Sequence, residues 1–347
     1  MRDQRKTDHI HIAVKTPDGP CSNGLQDMFL INQSVPELDL EDIDLTCDFL
    51  GKNLEYPLII NAITGGNEQA YRINQGLSLL AAKYGLAMAV GSQTIAIRDP
   101  GLRDSFRVVR DNNPEGIIMA NVSANSTVEE ALAAVDMIDA DGLQLHFNIP
   151  QELAMTEGDR RFRGLLENVQ NIASACRVPV IAKEVGFGFS RESVFILSGA
   201  GIKTFDIGGS GGSNFIAIEA QRGGNFSDVN EWGIPTAISL GETVSTGLDL
   251  QVIASGGIRT ALETAKCIAM GADLVGMAGT LLKILLQNGL HSLDEWLDKF
   301  LFKLKAILLM TGSKNIDELQ KCPLIITGNT AAWLKARGID VSKWSLR

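Results

Sequence analysis

Eight short apolar runs recur along the chain, at 58–62, 87–90, 117–120, 143–146, 180–183, 204–207, 252–254 and 274–277. They are apolar nearly throughout, the pattern of parallel strands covered on both faces. Each leads into a turn rich in Gly, Ser or Asn. A stretch with helical spacing then follows, at 69–84, 102–110, 128–138, 161–176, 191–200, 235–247, 260–270 and 280–288. Strand then helix, eight times over, predicts an α/β chain closed into a (β/α)8 TIM barrel. An open doubly wound sheet holds the same elements, because strand number alone does not show closure.

Chemical punctuation supports the boundaries. Asn125-Ser126-Thr127 before Glu129-Glu130 reads as a helix N-terminus with acids in its first turn. Gly85 and Gly271 fall where helix C-termini need a left-handed residue. No linker divides the chain, so one domain is expected. It would comprise an N-terminal extension (1–56) with a strand-like 47–51 and a Gly-Lys-Asn turn, a barrel core (57–290) and a C-terminal helical extension (291–347). The Gly-rich segment 208–233 reads as one long loop, a usual place for an active-site cover.

Composition narrows the partners. The net charge is -10, so neither nucleic acid nor an anionic membrane is an expected partner, and an anionic ligand would need a local basic pocket. The apolar stretch 274–286 is interrupted by Gly276, Gly279 and Lys283, which reads as strand, loop and helix rather than a membrane span. Cys21, Cys47, Cys176, Cys267 and Cys322 are scattered without a CxxC pair, as for reduced thiols in the cytoplasm. The polar start Met1-Arg2-Asp3-Gln4-Arg5-Lys6 has no signal-peptide pattern.

In a barrel, chemistry gathers at the C-terminal strand ends. Three ends carry small polar turns: Ala62-Ile63-Thr64-Gly65-Gly66, Val90-Gly91-Ser92-Gln93 and Ala120-Asn121-Val122-Ser123. Taken singly these are ordinary turns. Together they let a flat ring approach the backbone. The fifth strand ends in Ala182-Lys183-Glu184-Val185-Gly186. A Lys there demands a negative partner, either the N1/O2 edge of a reduced flavin or a barrel carboxylate such as Asp206. Glycine-rich loops follow at Asp206–Asn214, Ala254–Thr260 and Gly276–Thr280. Loops after strands seven and eight commonly cradle phosphate on backbone N–H groups and a helix N-terminus.

Two clusters point to a substrate. Arg5-Lys6-Thr7-Asp8-His9 is either a solvated tail or a cationic arm folding over a diphosphate, and Arg98 supplies another positive group. The fourth strand ends in Gln144-Leu145-His146-Phe147-Asn148-Ile149-Pro150-Gln151-Glu152. His146 and Asn148 are able to hold phosphate. Glu152 is a hard oxygen ligand suited to a Mg²⁺ that also binds diphosphate oxygens. Helix capping by this polar group is the plainer alternative.

These motifs, in this order over nearly the whole chain, resemble type 2 isopentenyl-diphosphate isomerases. The His-x-Asn-x-x-Gln-Glu loop with the Arg-Lys start is the specific part; other FMN barrels share the rest. Phe147, Pro150, Ser213 and Asp8 depart from the usual family residues, and none removes a needed functional group. The resemblance implies FMN held by Ala62, Ile63, Thr64, Ser92, Asn121, Lys183, Ser213, Gly257, Ile258, Arg259, Ala278 and Gly279. It implies substrate contacts from Arg5, Lys6, His9, Ser92, Arg98, His146, Asn148 and Gln151, with Mg²⁺ on Glu152. The implied reaction interconverts isopentenyl and dimethylallyl diphosphates in isoprenoid synthesis, in a homo-oligomer (tetramer or octamer). Reduced FMN would serve as acid and base, with NADPH as reductant. Lys183 would stabilise the reduced ring, and Gln151 would position substrate or relay a proton. Two rivals are an FMN-dependent 2-hydroxy acid dehydrogenase and a non-catalytic FMN scaffold. The first needs a His in the late loops, and beyond His146 the chain has only His291, in an expected helix.

Overall fold

The computed structural model describes Ile12, residues 19–224 and residues 226–347. Eight strands form a closed barrel: Leu58–Ile60, Ala87–Ala89, Ile118–Ser123, Gly142–Phe147, Val180–Glu184, Thr204–Asp206, Gln251–Ser255 and Leu274–Met277. Each pairs in parallel with its successor, and the eighth pairs with the first through Val275 and Leu58. That closure excludes the open sheet. All eight expected strands are present.

The expected helices surround the barrel as Glu68–Tyr84, Asp104–Asn112, Val128–Met137, Leu165–Ala175, Arg191–Gly199, Thr236–Val244, Ala261–Met270 and Gly279–Thr311. Local chemistry sets their ends. Thr127 and Glu130 form a capping box, each satisfying the other's backbone N–H. Gly85 and Gly271 take the left-handed conformation after their helices, at φ 59° and 119°.

The lower barrel interior is apolar. Ile59, Met119, Ile181, Ile253 and Leu274 pack together there with Ala87 and Ala89. A hairpin of Cys47–Phe49 and Lys52–Leu54 closes this end, with Phe49 and Leu54 buried in the same cluster. The strand-like 47–51 is therefore a plug.

Two expectations need correction. The tail beyond residue 290 is not purely helical: its strand Leu324–Ile326 pairs antiparallel with Met28–Leu30, tying tail to N-terminal extension. Three-residue strands with a distant partner leave no local periodicity to read. The helix expected at 280–288 does end there, because Gly289 is non-helical (φ 84°), and a second helix continues from it to Thr311. The 208–233 loop contains a helix, Phe215–Gln221, capped by the Asn214 side chain on the Ala217 N–H. Among the described residues no helix is long and apolar enough to cross a membrane.

Candidate active site

Two residues beyond the apolar interior layer, the same strands turn polar. Ile59 gives way to Asn61, Met119 to Asn121, Ile181 to Lys183, Ile253 to Ser255 and Leu274 to Gly276. Strand side chains alternate, so these positions also face inward. Contacts between strands that are not neighbours bear this out. Asn61, after the first strand, donates to Asp206 on the sixth at 2.6 Å, and Gln144 on the fourth donates to Asn61 Oδ1 at 3.1 Å.

Asp206 is fully buried at the centre of this layer. It accepts from Lys183 Nζ at 2.7 Å, and the Ser255 hydroxyl donates to its other oxygen. The carboxylate alternative for the Lys183 partner is thus present. Lys183 nevertheless also lines the cavity above, so the ion pair and a ligand contact are compatible. Asn61 and Ser255 satisfy the Asp206 end of this buried ion pair with further hydrogen bonds.

The cavity, of about 150 Å³, opens over the fifth to eighth strand ends. From the expected flavin set, Ala62, Lys183, Ser213, Gly257, Ile258, Ala278 and Gly279 line it. Its walls need glycine. Gly257 sits at φ 70°, where a Cβ would lie 2.1 Å from Gly211 O; a Cβ on Gly208 (φ 47°) would lie 1.8 Å from Glu184 O. The Arg259 guanidinium braces two of these loops, donating to Gly257 O and Gly211 O at 2.6 Å each. The eighth-strand loop ends at Ala278, where Gly279 begins a long helix whose first N–H groups face outward from its end.

Thr64, Ile63, Ser92 and Asn121 sit on the adjacent first to third strand ends. Among the described residues the Thr64 hydroxyl is buried without a hydrogen-bond partner, and so is that of Ser210. Such an orphan is costly unless a ligand meets it. Ser92 Oγ lies 3.2 Å from Thr94 Oγ1. Asn121 donates to Gln144 Oε1 at 3.0 Å and faces His146 Nδ1 at 2.9 Å.

After the fourth strand, beside the third, a short helix Ile149–Ala154 carries Gln151 and Glu152. Asn148 donates to both, at 3.3 Å to Gln151 Oε1 and 2.9 Å to Glu152 Oε1. Its two amide protons are thereby directed to the two side chains, so Asn148 orients them. The polar cluster does not cap its own helix: Asn148 makes no capping bond there. Gln151 in turn donates to the buried Glu219 at 3.2 Å. Glu152 Oε2 accepts from the Asp159 N–H at 2.8 Å. Among the described residues no group of three or more His, Cys, Asp or Glu gathers as a metal cage. Arg98, on the short helix after the second strand, has its side chain half exposed and a long 3.8 Å approach to Glu130. Arg5, Lys6 and His9 lie outside the described residues.

Sequence reasoning gave no role to Asn61, Glu184 or Glu219. Asn61 carried a signal as a polar residue at the inward-facing step after an apolar strand, Glu184 is the neighbour of Lys183 at its strand end, and Glu219 lay within the segment treated as loop. Burial pushes the Glu184 carboxyl up to about 8, although the Phe187 and Gly188 N–H groups donate to it at 2.6 and 3.0 Å. A larger cavity, about 330 Å³, lies away from the mouth beside Trp344 and contains no expected site residue. Its cations are engaged, Lys343 with Ser245 Oγ and Arg347 with Ala269 O.

Comparison with known proteins extends this geometry. The family of FMN-dependent dehydrogenases matches residues 166–325. The chain is 47% identical over 337 residues to an isopentenyl-diphosphate delta-isomerase of Moorella thermoacetica, covering 97% of both chains. It is 47% identical over 348 residues to that of Geobacillus sp. (strain WCH70), covering 100% of this chain and 99% of the relative. With the Staphylococcus aureus (strain JH9) protein of the same description it shares 39% over 345 residues, 99% of each. Among solved structures, mandelate oxidase with (S)-4-hydroxymandelic acid superposes with a TM-score of 0.66 at 13% identity, covering 93% of this chain and 97% of that one. That last likeness shows the barrel fold alone.

Proposed function

Because this chain belongs to the isopentenyl-diphosphate delta-isomerases, in their type 2, FMN-dependent form, we propose that it interconverts isopentenyl and dimethylallyl diphosphate. The observation that carries the reading is the meeting, at one barrel mouth, of a glycine-walled cavity holding Lys183 with the His146–Glu152 rim. The double bond moves without net redox change, so one proton is added and another removed.

The residues fit FMN. The buried Thr64 hydroxyl, without a partner among the described residues, awaits a polar group, and Gly257 and Gly208 bring loops together too closely for any Cβ, so the cavity wall there is backbone. Thr64, Ser92, Asn121 and Lys183 would hold the ring, with Ala62 and Ile63 beside it. Ser213, the Gly257–Ile258–Arg259 loop, Ala278 and Gly279 would hold the phosphate on backbone N–H groups. When bound and reduced, with NADPH as reductant, FMN supplies acid/base chemistry beside the carbon skeleton.

The chain's own residues position and neutralise. Lys183 places a positive charge beside the site while Asp206 keeps it fixed. His146, Gln151, Arg98 and the N-terminal Arg5, Lys6 and His9 bind the diphosphate, offsetting the chain's acidity. Glu152 holds Mg²⁺. A single carboxylate suits Mg²⁺ when substrate oxygens and water complete the octahedron. The protein works in the cytoplasm as a homo-oligomer, a tetramer or octamer. Oxidation of 2-hydroxy acids is disfavoured, because the only late histidine, His291, is an exposed helical residue paired with Glu295.

The test is an anaerobic assay with FMN, Mg²⁺, NADPH or dithionite, and isopentenyl diphosphate. Dimethylallyl diphosphate is expected only with reduced flavin. A yellow, reducible protein without isomerisation would overturn the proposal.

A further inference from the structure

The polar layer of the barrel has a direction as well as a set of contacts. Asp206, buried against the Lys183 ammonium, is a carboxylate and only accepts hydrogen bonds. Any amide meeting it must turn its nitrogen inward. Asn61 does so at 2.6 Å, and Gln144 at 3.4 Å. The Asn61 orientation has a second, independent anchor: its Oδ1 accepts from the Ala62 N–H at 2.9 Å, and a backbone N–H only donates. Gln144 Nε2 donates to that same Oδ1.

With its nitrogen committed, Gln144 turns Oε1 to Asn121 and receives Asn121 Nδ2 at 3.0 Å. This leaves Asn121 Oδ1 to face His146 Nδ1 at 2.9 Å. A carbonyl oxygen only accepts, so the proton sits on Nδ1. Amide and imidazole orientations are ordinarily inferred from local contacts. Here they follow from two groups whose polarity is fixed, one acceptor-only and one donor-only.

We infer that Asp206, together with the Ala62 N–H that orients Asn61, fixes the tautomer of His146 through Gln144 and Asn121. The tautomer of a histidine is set by the hydrogen bond its other nitrogen makes. Here that bond is controlled from across the barrel, and Nε2 becomes the atom by which the ring meets other groups. One carboxylate thus serves both Lys183, on the proposed flavin side, and His146, on the proposed diphosphate side. The use of the tautomer in binding rests on the isomerase reading; the tautomer itself does not.

The test is magic-angle-spinning NMR of the full chain with FMN bound and its histidines labelled with ¹⁵N and ¹³C. The chain has four histidines, and the His146 signals are those missing from His146→Asn. In the unsubstituted protein the neutral ring is expected to carry its proton on Nδ1. Asn121→Leu cuts the last two links, to Gln144 and to His146, leaves the Lys183–Asp206 pair in place, and should move the major population to Nε2–H. Asn121→Asp keeps an acceptor and should retain Nδ1–H. Asp206→Asn removes one anchor but leaves the Ala62 N–H on Asn61, so Nδ1–H should remain the major form. Nε2–H in the unsubstituted protein, or Nδ1–H unchanged in Asn121→Leu, overturns the inference. The anaerobic assay separates the two proposals. An Nδ1–H ring in a protein that does not isomerise leaves this inference standing without the activity, and an isomerase with an Nε2–H ring does the reverse.

Discussion

The two ends of the barrel interior are made by the same strands and differ in almost everything else. At the lower end Ile59, Met119, Ile181 and Ile253 pack against Phe49 and Leu54 of the hairpin, with no polar side chain among them. At the upper end, one alternation further along the same strands, Asn61, Asn121, Lys183 and Ser255 join Gln144 and Asp206 in a hydrogen-bonded layer. Packing fixes the first layer without direction, so many apolar residues of similar size would serve. The second is directional: each donor needs its acceptor, and one change reverses or strands the rest. A barrel divides stability and chemistry along its axis in this way.

The largest effect should come from breaking the upper layer at its charge. Lys183→Met strands the fully buried Asp206, and removing one partner of such a pair costs about 3–5 kcal/mol. Urea denaturation should show that loss, and the purified variant should be colourless through failure to retain FMN. Adding Asp206→Leu should restore much of the stability but none of the colour. If the double variant is no more stable than Lys183→Met, the pair is not the source of the penalty.

Phe49→Ala tests the other end. Deleting a fully buried Phe costs about 3–5 kcal/mol, much as above. Flavin content and turnover, measured below the lowered melting temperature, should stay unchanged. A lower turnover in the folded variant would mean that the two layers are coupled and the division fails.

The smallest effect sharpens the upper end. Glu184 has its carboxyl pushed from 4.5 to about 8 by burial. Between those values the unfolded chain has released this proton and the folded one has kept it. The contribution is therefore fully present below about 4.5 and is lost as pH rises through 8. Glu184→Gln keeps an oxygen for the Phe187 and Gly188 N–H groups and removes the titration. Denaturation at both ends of that window should show the native protein losing ground to the variant as pH rises. Equal slopes would show that Glu184 ionises freely in the fold.

The sequence by itself determined the eight strand–helix units, their order, the capping at Thr127, Gly85 and Gly271, and the concentration of glycine at the late strand ends. These are properties of neighbouring residues, and periodicity and turn chemistry act over a few positions. The pairing of Met28–Leu30 with Leu324–Ile326 was beyond its reach, as was the helix within the presumed loop, because one depends on a distant partner and the other on a seven-residue stretch. The site divides in the same way. Lys183 was legible because a charge in an apolar strand needs explaining locally. Its meeting with Asp206, the direction of the amide chain to His146, and the role of Asn148 in aiming Gln151 and Glu152 were decided only by tertiary structure. Closure alone sets residues from the first, third, fourth and sixth strands within hydrogen-bonding distance, and a hydrogen bond has no periodicity by which the chain could announce it.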